Sequence, residues 1–554
     1  MTRKQSLVIT ALTILVLALG VLASRQLWFR LDITRERLNT ISEVSRNLHM
    51  EIADTVQITY FVSDRLRALH PMPGEIEDFL REYVGHSRGR MRLAVRDPVR
   101  ADMVREVERF GILPQHIPIV ERDVESLVTV FSGIVIEYLD EVSVLPMVFS
   151  LETLEYDLTS RIRSMARGTP RVAGILAGGM AANPRLWEDS YLQLHAALAQ
   201  AGYEVRFIAP GEEIPGALSA LIVLDGTETL DDLALYRVDR YLRGGGRALF
   251  TARAVAVDVQ GGMEARRLSD RGLLAMLASY GAEVSPEIVM DQTALAMRYQ
   301  ARTPAGALQV RVARNFQWIR VLPEFRNPLH PVVGARFAGL DLYWANPITL
   351  SPPPGVEAEP LFTTTDAAWT MLAPFLTSPD MADMMERDAA ETAIGRRILA
   401  ASLSGVFPSW FEGRPSPAEE RGLPPSPPIG YPRPGRVIVV GETEFATAFT
   451  GVTGAQHNFG FIIQAADWLG HEDDIIGIRA RAAGSGRLDR IADPEVRAAA
   501  IRFSRAVNVF VVPALVIAAG AFFSRRRRAL ARLRGEADPG GEGGGGEKEL
   551  GNGV

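Results

Sequence analysis

Residues 168–179 read GTPRVAGILAGG. Proline opens the stretch, an apolar run without a charge follows, and Gly178 and Gly179 close it. A short apolar run bounded by turn residues is the pattern of a strand buried on both faces. Runs of the same kind recur at EVRFIAP (204–210), ALIVLDG (220–226) and RALFTARAV (247–255). Helical stretches such as LWEDSYLQLHAALAQAG (186–202) separate them. In YLRGGGRALF (241–250) a helix is ended by glycine before the next strand. LLAMLASYGAEVSPEIVMD (273–291) continues the alternation. Strands alternating with helices at this spacing predict a parallel sheet covered on both faces, so the fold class is α/β.

The pattern weakens from about residue 302 to 434, where PITLSPPPGVEAEP (347–360) and GRPSPAEERGLPPSPPIGYPRPG (413–435) read as proline-rich loops. RVIVVGETEF (436–445) then restores a buried strand with Glu442 and Glu444 just beyond it, and NFGFIIQAADWLG (458–470) reads as a helix. The expectation is one parallel α/β domain over 168–300, a Pro-rich or β-rich insertion over 301–434, and completion of the domain over 435–500.

Upstream, Thr40 and Glu43 form a capping box for a helix carrying Ile41, Val44 and Leu48. VQITYFVSD (56–64) and RMRLAVRDP (90–98) read as strands, and GEIEDFLREYV (74–84) and residues 101–110 as helices. GIVIEYLDEVSVLPMVF (133–149) reads as two strands around a tight turn. The closing helix, 151–168, places Leu151, Leu154, Leu158, Ile162 and Met165 on one stripe. A β-α-β-α-β-β-α order is that of a thioredoxin-like domain, assigned to 30–167.

The ends carry two apolar runs. Residues 7–23 follow Arg3 and Lys4, and Trp28 and Phe29 come after them as an interfacial belt would. A cleaved signal peptide and a retained anchor both fit, and the length favours the anchor, 1–29. Residues 507–523 are followed at once by Arg525 to Arg528. A buried helix with a basic tail is the alternative; the abutting arginines favour a second span, 501–524, with a cytoplasmic basic side. The tail, 525–554, turns glycine- and glutamate-rich and is expected to be disordered. Both termini would then be cytoplasmic, and the bulk of the chain would be periplasmic, outside a bacterial inner membrane.

Composition narrows the chemistry. The 554 residues contain no cysteine, which removes thiol nucleophiles, CxxC pairs and cysteine-ligated metals. Lys4 and Lys548 are the only lysines, and neither lies in a GxxxxGK[ST] loop, so the chain is not itself a P-loop ATPase. A net charge of −6 offers no general attraction to nucleic acid. The eight histidines are scattered, HEDD at 471–474 reads as a solvated loop, and GxSxG is absent. Gly178, Gly179, Glu442 and Glu444 stand at strand ends, where α/β sheets place ligands, and form a candidate ligand or partner rim. No cofactor, metal or catalytic residue is expected.

The order of LDITRERLNTIS (31–42), FSGIVIEYLDE (131–141), LEYDLTSRI before PRVAGILAGG, ALIVLDG, YLRGGGRALF, NPLHPVVG (327–334) and RVIVVGETEF resembles that of the GldG-like auxiliary proteins of ABC transport systems, named for their gliding-motility members. The resemblance implies a glutamine-amidotransferase-like central domain. It further implies a non-catalytic subunit that works with a separate ATPase and a multispan permease in the lipid bilayer, facing envelope cargo of unspecified kind. Where the family often carries a Gly-His-Gly-Glu-like segment, this chain has AGGMAANP (177–184), and the family's enzymes of related fold use a cysteine it lacks. The other readings are a stand-alone envelope scaffold for glycan or peptide, and a hydrolase acting through Glu442 and Glu444.

Overall fold

The computed structural model describes residues 41–470, apart from 122–123, 152, 179–189, 260–261, 303–307, 334–336, 338, 379–393 and 425–430, and also Arg525. The chain divides into two units, 1–484 and 485–554, and every element named below belongs to the first. Among the described residues no helix is long and apolar enough to cross a membrane. The two expected spans and the HEDD stretch lie outside the described residues.

The first helix, α1 (Glu43–Asn47), is capped by Ser42 rather than by the expected Thr40, which lies outside the described residues. Ser42 is extended, and its hydroxyl accepts the Ser45 N–H at 3.0 Å. That places Glu43 in the first turn, where its charge suits the helix dipole. Then follow β1 (Val56–Val62), α2 (Met72–Gly85), β2 (Met91–Arg96) and α3 (Val104–Arg109). A hairpin not expected from the sequence, β3 (Gln115–Glu121) and β4 (Val124–Val130), precedes β5 (Ser132–Tyr138), β6 (Glu141–Leu145) and α4 (Leu154–Arg167). The sheet order is β2-β1-β5-β6, with β1 parallel to β2 and antiparallel to β5. Leu154, Leu158, Ile162 and Met165 of α4 are buried in its core, as their helical period predicts.

The second sheet begins with β7 (Val172–Ala177), followed by α5 (Leu192–Gln200), β8 (Glu204–Phe207), β9 (Ala220–Leu224), α6 (Asp232–Arg243) and β10 (Arg247–Thr251). Beyond them come the antiparallel pair β11 (Val255–Asp258) and β12 (Glu264–Arg267), then α7 (Leu273–Tyr280). Asp231 caps α6 by accepting the Ala234 N–H at 2.9 Å, and Gly244 ends it. The period-2 pleat splits each strand between two cores. Ile222 and Leu224 face one side, where α5 packs, while Leu221 and Val223 face the other, against α6 and α7.

After α7 the strands are β13 (Ala282–Val284), β14 (Ile288–Met290), β15 (Ala294–Arg302), β16 (Leu308–Val321), β17 (Leu340–Tyr343), β18 (Ile348–Leu350), β19 (Val356–Thr363), β20 (Trp369–Met371) and β21 (Ile398–Gly405). The chain returns through β22 (Gly435–Val440) and ends its described part in α8 (Asn458–Leu469). The sheet runs β13-β18-β21-β22-β10-β9-β7-β8. Its last five members are parallel and follow the doubly wound order 2-1-3-4-5, in which the order of strand addition reverses between β7 and β9.

The stretch expected as an insertion therefore builds part of this sheet. β21 lies antiparallel to β22 over Ala400–Gly405, and β18 and β13 extend the sheet antiparallel beyond it. Elsewhere the same stretch forms a separate aromatic core, in which Trp318 meets Tyr343, Trp344 and Phe449 edge-on at 5.3, 5.7 and 5.5 Å between ring centres.

Candidate functional site

The carboxyl ends of β7, β9, β10 and β22 converge at the point where the strand order reverses. Gly178 follows β7, and its N–H donates to the Leu224 carbonyl at 2.8 Å. A Cβ there would lie 1.8 Å from Thr229 Oγ1 and 2.1 Å from the Asp225 carbonyl oxygen, so only glycine lets the β9 turn come this close. Asp225 itself sits at φ 49°, a left-handed conformation that aspartate tolerates better than most residues. Gly179 lies outside the described residues.

Arg253, two residues beyond β10, binds Asp225 through two parallel contacts, Nε–Oδ1 and Nη2–Oδ2, each 3.0 Å. Its Nη1 reaches Glu444 Oε1 at 2.8 Å. Burial opposes the guanidinium charge, but the carboxylates of Asp225 and Glu444 outweigh it and hold Arg253 firmly protonated. The remaining Glu444 oxygen accepts from the Thr447 hydroxyl at 3.0 Å.

Glu442 does not face outward with Glu444. It is 2% exposed, and its carboxyl group accepts the backbone N–H groups of Glu444 and of Phe445, the latter at 2.8 Å. In doing so it fastens the short helical turn Glu444–Ala446 beneath the end of β22. Burial, and secondly the charge of Glu444, push its pKa up to about 8, so Glu442 is mostly neutral at pH 7. Burial and the nearby Asp225 and Glu444 likewise push the Tyr191 hydroxyl well up.

Asn346 ties this cluster to the outer strands. Its Oδ1 accepts the Ala254 N–H at 2.8 Å, its Nδ2 donates to the Glu287 carbonyl at 2.6 Å, and its own N–H donates to the Gly441 carbonyl at 2.7 Å. A Cβ on Gly441 would stand 2.1 Å from the Asn346 oxygen, so this glycine too is a requirement of close approach.

Of the four rim residues expected from the sequence, the structure thus places Glu444 in an ion-paired rim, Glu442 below it and Gly178 at a strand crossing. Asp225, Arg253 and Asn346 were missed. Asp225 and Arg253 carry the same signal as GETEF, a charged residue just past an apolar run, in ALIVLDG and RALFTARAV. Chemically the cluster is an Arg clamped by two carboxylates, with a neutral glutamic acid holding the turn beneath. With its cation occupied and a net negative rim, it offers no free positive charge to a phosphate.

A family model described as "ABC-type uncharacterized transport system" matches residues 170–460, and a "Domain of unknown function" model, DUF7088, matches residues 35–137. A Borreliella burgdorferi protein described as uncharacterized is 21% identical over 520 residues, covering 90% of this chain and 94% of its own. Among solved structures, the mmIFT52 N-terminal domain is 12% identical, covering 53% of this chain and 97% of its own, with a TM-score of 0.30. A putative ThuA-like protein from Parabacteroides merdae is 10% identical, covering 55% and 91%, with a TM-score of 0.25. The family model spans more than half of the 554 residues and takes in all five parallel strands of the second sheet, and the chain belongs to that family, the auxiliary components of ABC-type transport systems.

Proposed function

We propose that the chain is a non-catalytic, membrane-anchored subunit of the GldG-like kind, whose large outer part meets cargo or envelope partners while a separate ATPase and permease drive transport. The observation that carries this reading is the state of the sheet's carboxyl end. In a doubly wound enzyme that end holds a ligand and the groups that act on it. Here Arg253 is fully engaged by Asp225 and Glu444, which leave the rim net negative, and Glu442 is spent on two backbone N–H groups of its own turn. The first sheet's order, β2-β1-β5-β6 with β5 antiparallel, supports a thioredoxin-like domain that lacks the cysteines for redox chemistry. The five parallel strands support the glutamine-amidotransferase-like reading of the second. With only Lys4 and Lys548 in the sequence, hydrolysis of ATP falls to another chain.

The test is purification of the full chain from membranes in mild detergent, followed by mass spectrometry. An ABC ATPase and a multispan permease should be recovered together with it. Repeated recovery of neither would remove the reading. A periplasm-sensitive reporter inserted at the exposed Tyr431 loop should be active, and a cytosolic result would remove the proposed topology.

A further inference from the structure

The β15–β16 hairpin extends beyond both cores. At its base Phe316 and Trp318 are buried, but Leu308, Val310 and Val312 are 63%, 65% and 63% exposed. Residues directly opposite one another in an antiparallel pair share a face. The register sets Val312 against Arg298 and Leu308 against Arg302, and Arg314 continues the β16 row. One face is therefore a row of aliphatic side chains with Arg298 opposite Val312 and Arg314 at its base end. On the other face, Arg311 stands opposite Tyr299.

The charge of this segment departs from that of the molecule. Residues 292–323 hold five arginines and no aspartate or glutamate, in a chain whose net charge is −6. Arg320 is neutralised by Asp341 at 2.7 Å, and Arg314 donates to the Gln292 carbonyl. Arg298 and Arg311 are exposed and have no acidic partner among the described residues. Finally, β15 pairs with β16 on one side and with no described strand on the other. Edge strands are ordinarily blunted by proline, lysine or a bulge. β15 has no proline or lysine, and its irregularity falls at its base, between Ala294 and Leu295.

We infer that this hairpin is a docking arm for an acidic protein segment, which adds as an extended strand to the free edge of β15. The edge supplies main-chain N–H and C=O groups. The guest lies directly beside β15, where Arg298 selects its carboxylates on one face and Met297 and Tyr299 meet its alternate apolar side chains on the other, and the aliphatic row of β16 stands one strand further in. A membrane surface fits less well. Hydrocarbon would leave the main-chain groups of the β15 edge unpaired, and the apolar row is only three residues wide. The inference stands on the hairpin alone and does not depend on the transport reading.

The test uses the full chain in phosphatidylcholine nanodiscs with a labelled peptide of alternating glutamate and valine. Anisotropy measures binding, and amide hydrogen exchange reports the edge. Saturable, salt-weakened binding is expected, with slowed exchange across residues 294–302. The double variant Arg298→Glu, Arg311→Glu should weaken it by about tenfold or more. A peptide N-methylated along one edge should not bind, which keeps the test intact should that variant misfold. The inference is overturned by no binding, by equal binding of a lysine–valine peptide, or by binding that leaves exchange of 294–302 unchanged. Binding of phosphatidylglycerol vesicles in place of the acidic peptide would assign the arm to a membrane and overturn it as well.

Discussion

Glu442 shows how one side chain can couple this fold to pH. Its pKa rises from the ordinary value of 4.5 to about 8 on folding. Between those values the folded chain holds a proton that the unfolded chain has lost, so this residue's contribution to stability falls as pH rises through that window. In Glu442→Gln the fall disappears, and the dependence of melting temperature on pH flattens between pH 5 and 8. At pH 5 the variant is also less stable, by about 1–3 kcal/mol, because an amide nitrogen cannot accept one of the two backbone N–H groups. Parallel melting curves for the two proteins across that range would show that Glu442 stays ionised. Arg253 acts in the opposite sense. Arg253→Ala leaves Asp225 and Glu444 facing one another without their cation and costs about 3–5 kcal/mol in urea unfolding. Arg253→Lys recovers less than half of that, since an ammonium cannot make the two parallel contacts to Asp225 together with the third to Glu444. A lysine variant as stable as the parent would mean that charge alone suffices. These roles were only partly legible. GETEF marks a strand end, but not that Glu442 turns inward while Glu444 stays at the rim. Nor does spacing along the chain bring Arg253 to Glu444.

At the scale of elements, one buried carboxylate ties the first sheet's closing helix to the second domain. Asp467 of α8 is fully buried and accepts from the hydroxyls of Tyr156 on α4, at 2.5 Å, and Tyr203, at 2.7 Å. Arg171, just before β7, donates to the same carboxylate and lies over the Tyr203 ring at 4.1 Å. Tyr156 is the member contributed by the first domain, on the side of α4 away from its apolar stripe. Tyr156→Phe therefore removes a hydrogen bond to a charged group, worth about 1.5–3 kcal/mol, and separates the unfolding of the two domains into distinct steps in urea. Tryptophan fluorescence, which reports on the second domain because residues 41–167 hold no tryptophan, and far-ultraviolet circular dichroism, expected to coincide in the parent, should then diverge. Continued coincidence would place the coupling elsewhere. The elements that sequence reading found are those whose side chains declare their surroundings. VAGILA, ALIVL and RVIVV are uniformly apolar because both faces of a parallel sheet are covered, and α8 is apolar nearly all round because it lies in the core. β21 escaped notice because ILAASLSG is small and partly polar, although its centre is buried between β22 and β19. β18 is three residues long, too short for any period to show. In the missed β3–β4 hairpin, Pro118 and the charges at 121–123 interrupt the alternation that marks a strand.

For the whole molecule, the order in which the central sheet can close follows from where β22 lies in the chain. It pairs parallel with β10, from Arg247 with Arg436 to Thr251 with Val440, and antiparallel with β21, from Ala400 with Val440 to Gly405 with Gly435. It is the only described strand joining the parallel half of the sheet to the antiparallel half, and it arrives after everything it joins. Without it, β10 and β21 each present a buried, apolar edge, and α8, whose residues Phe461, Ile462 and Ala466 cover one face, has no sheet to lie on. Contacts this distant along the chain must offset a large loop-closure entropy before they stabilise anything, so the step should be slow as well as decisive. A chain ended after residue 431, which also lacks Asp467 and with it the link to Tyr156, should therefore unfold cooperatively only in the first domain, whose core draws on residues 41–165. Its central region should bind a hydrophobic dye and lack near-ultraviolet circular dichroism while retaining helical signal. Adding residues 432–484 as a separate polypeptide should restore the second transition if β22 and α8 supply what is missing. A truncated chain that still unfolds in two cooperative steps would show that the halves of the sheet are stable apart, and that β22 only lies between them.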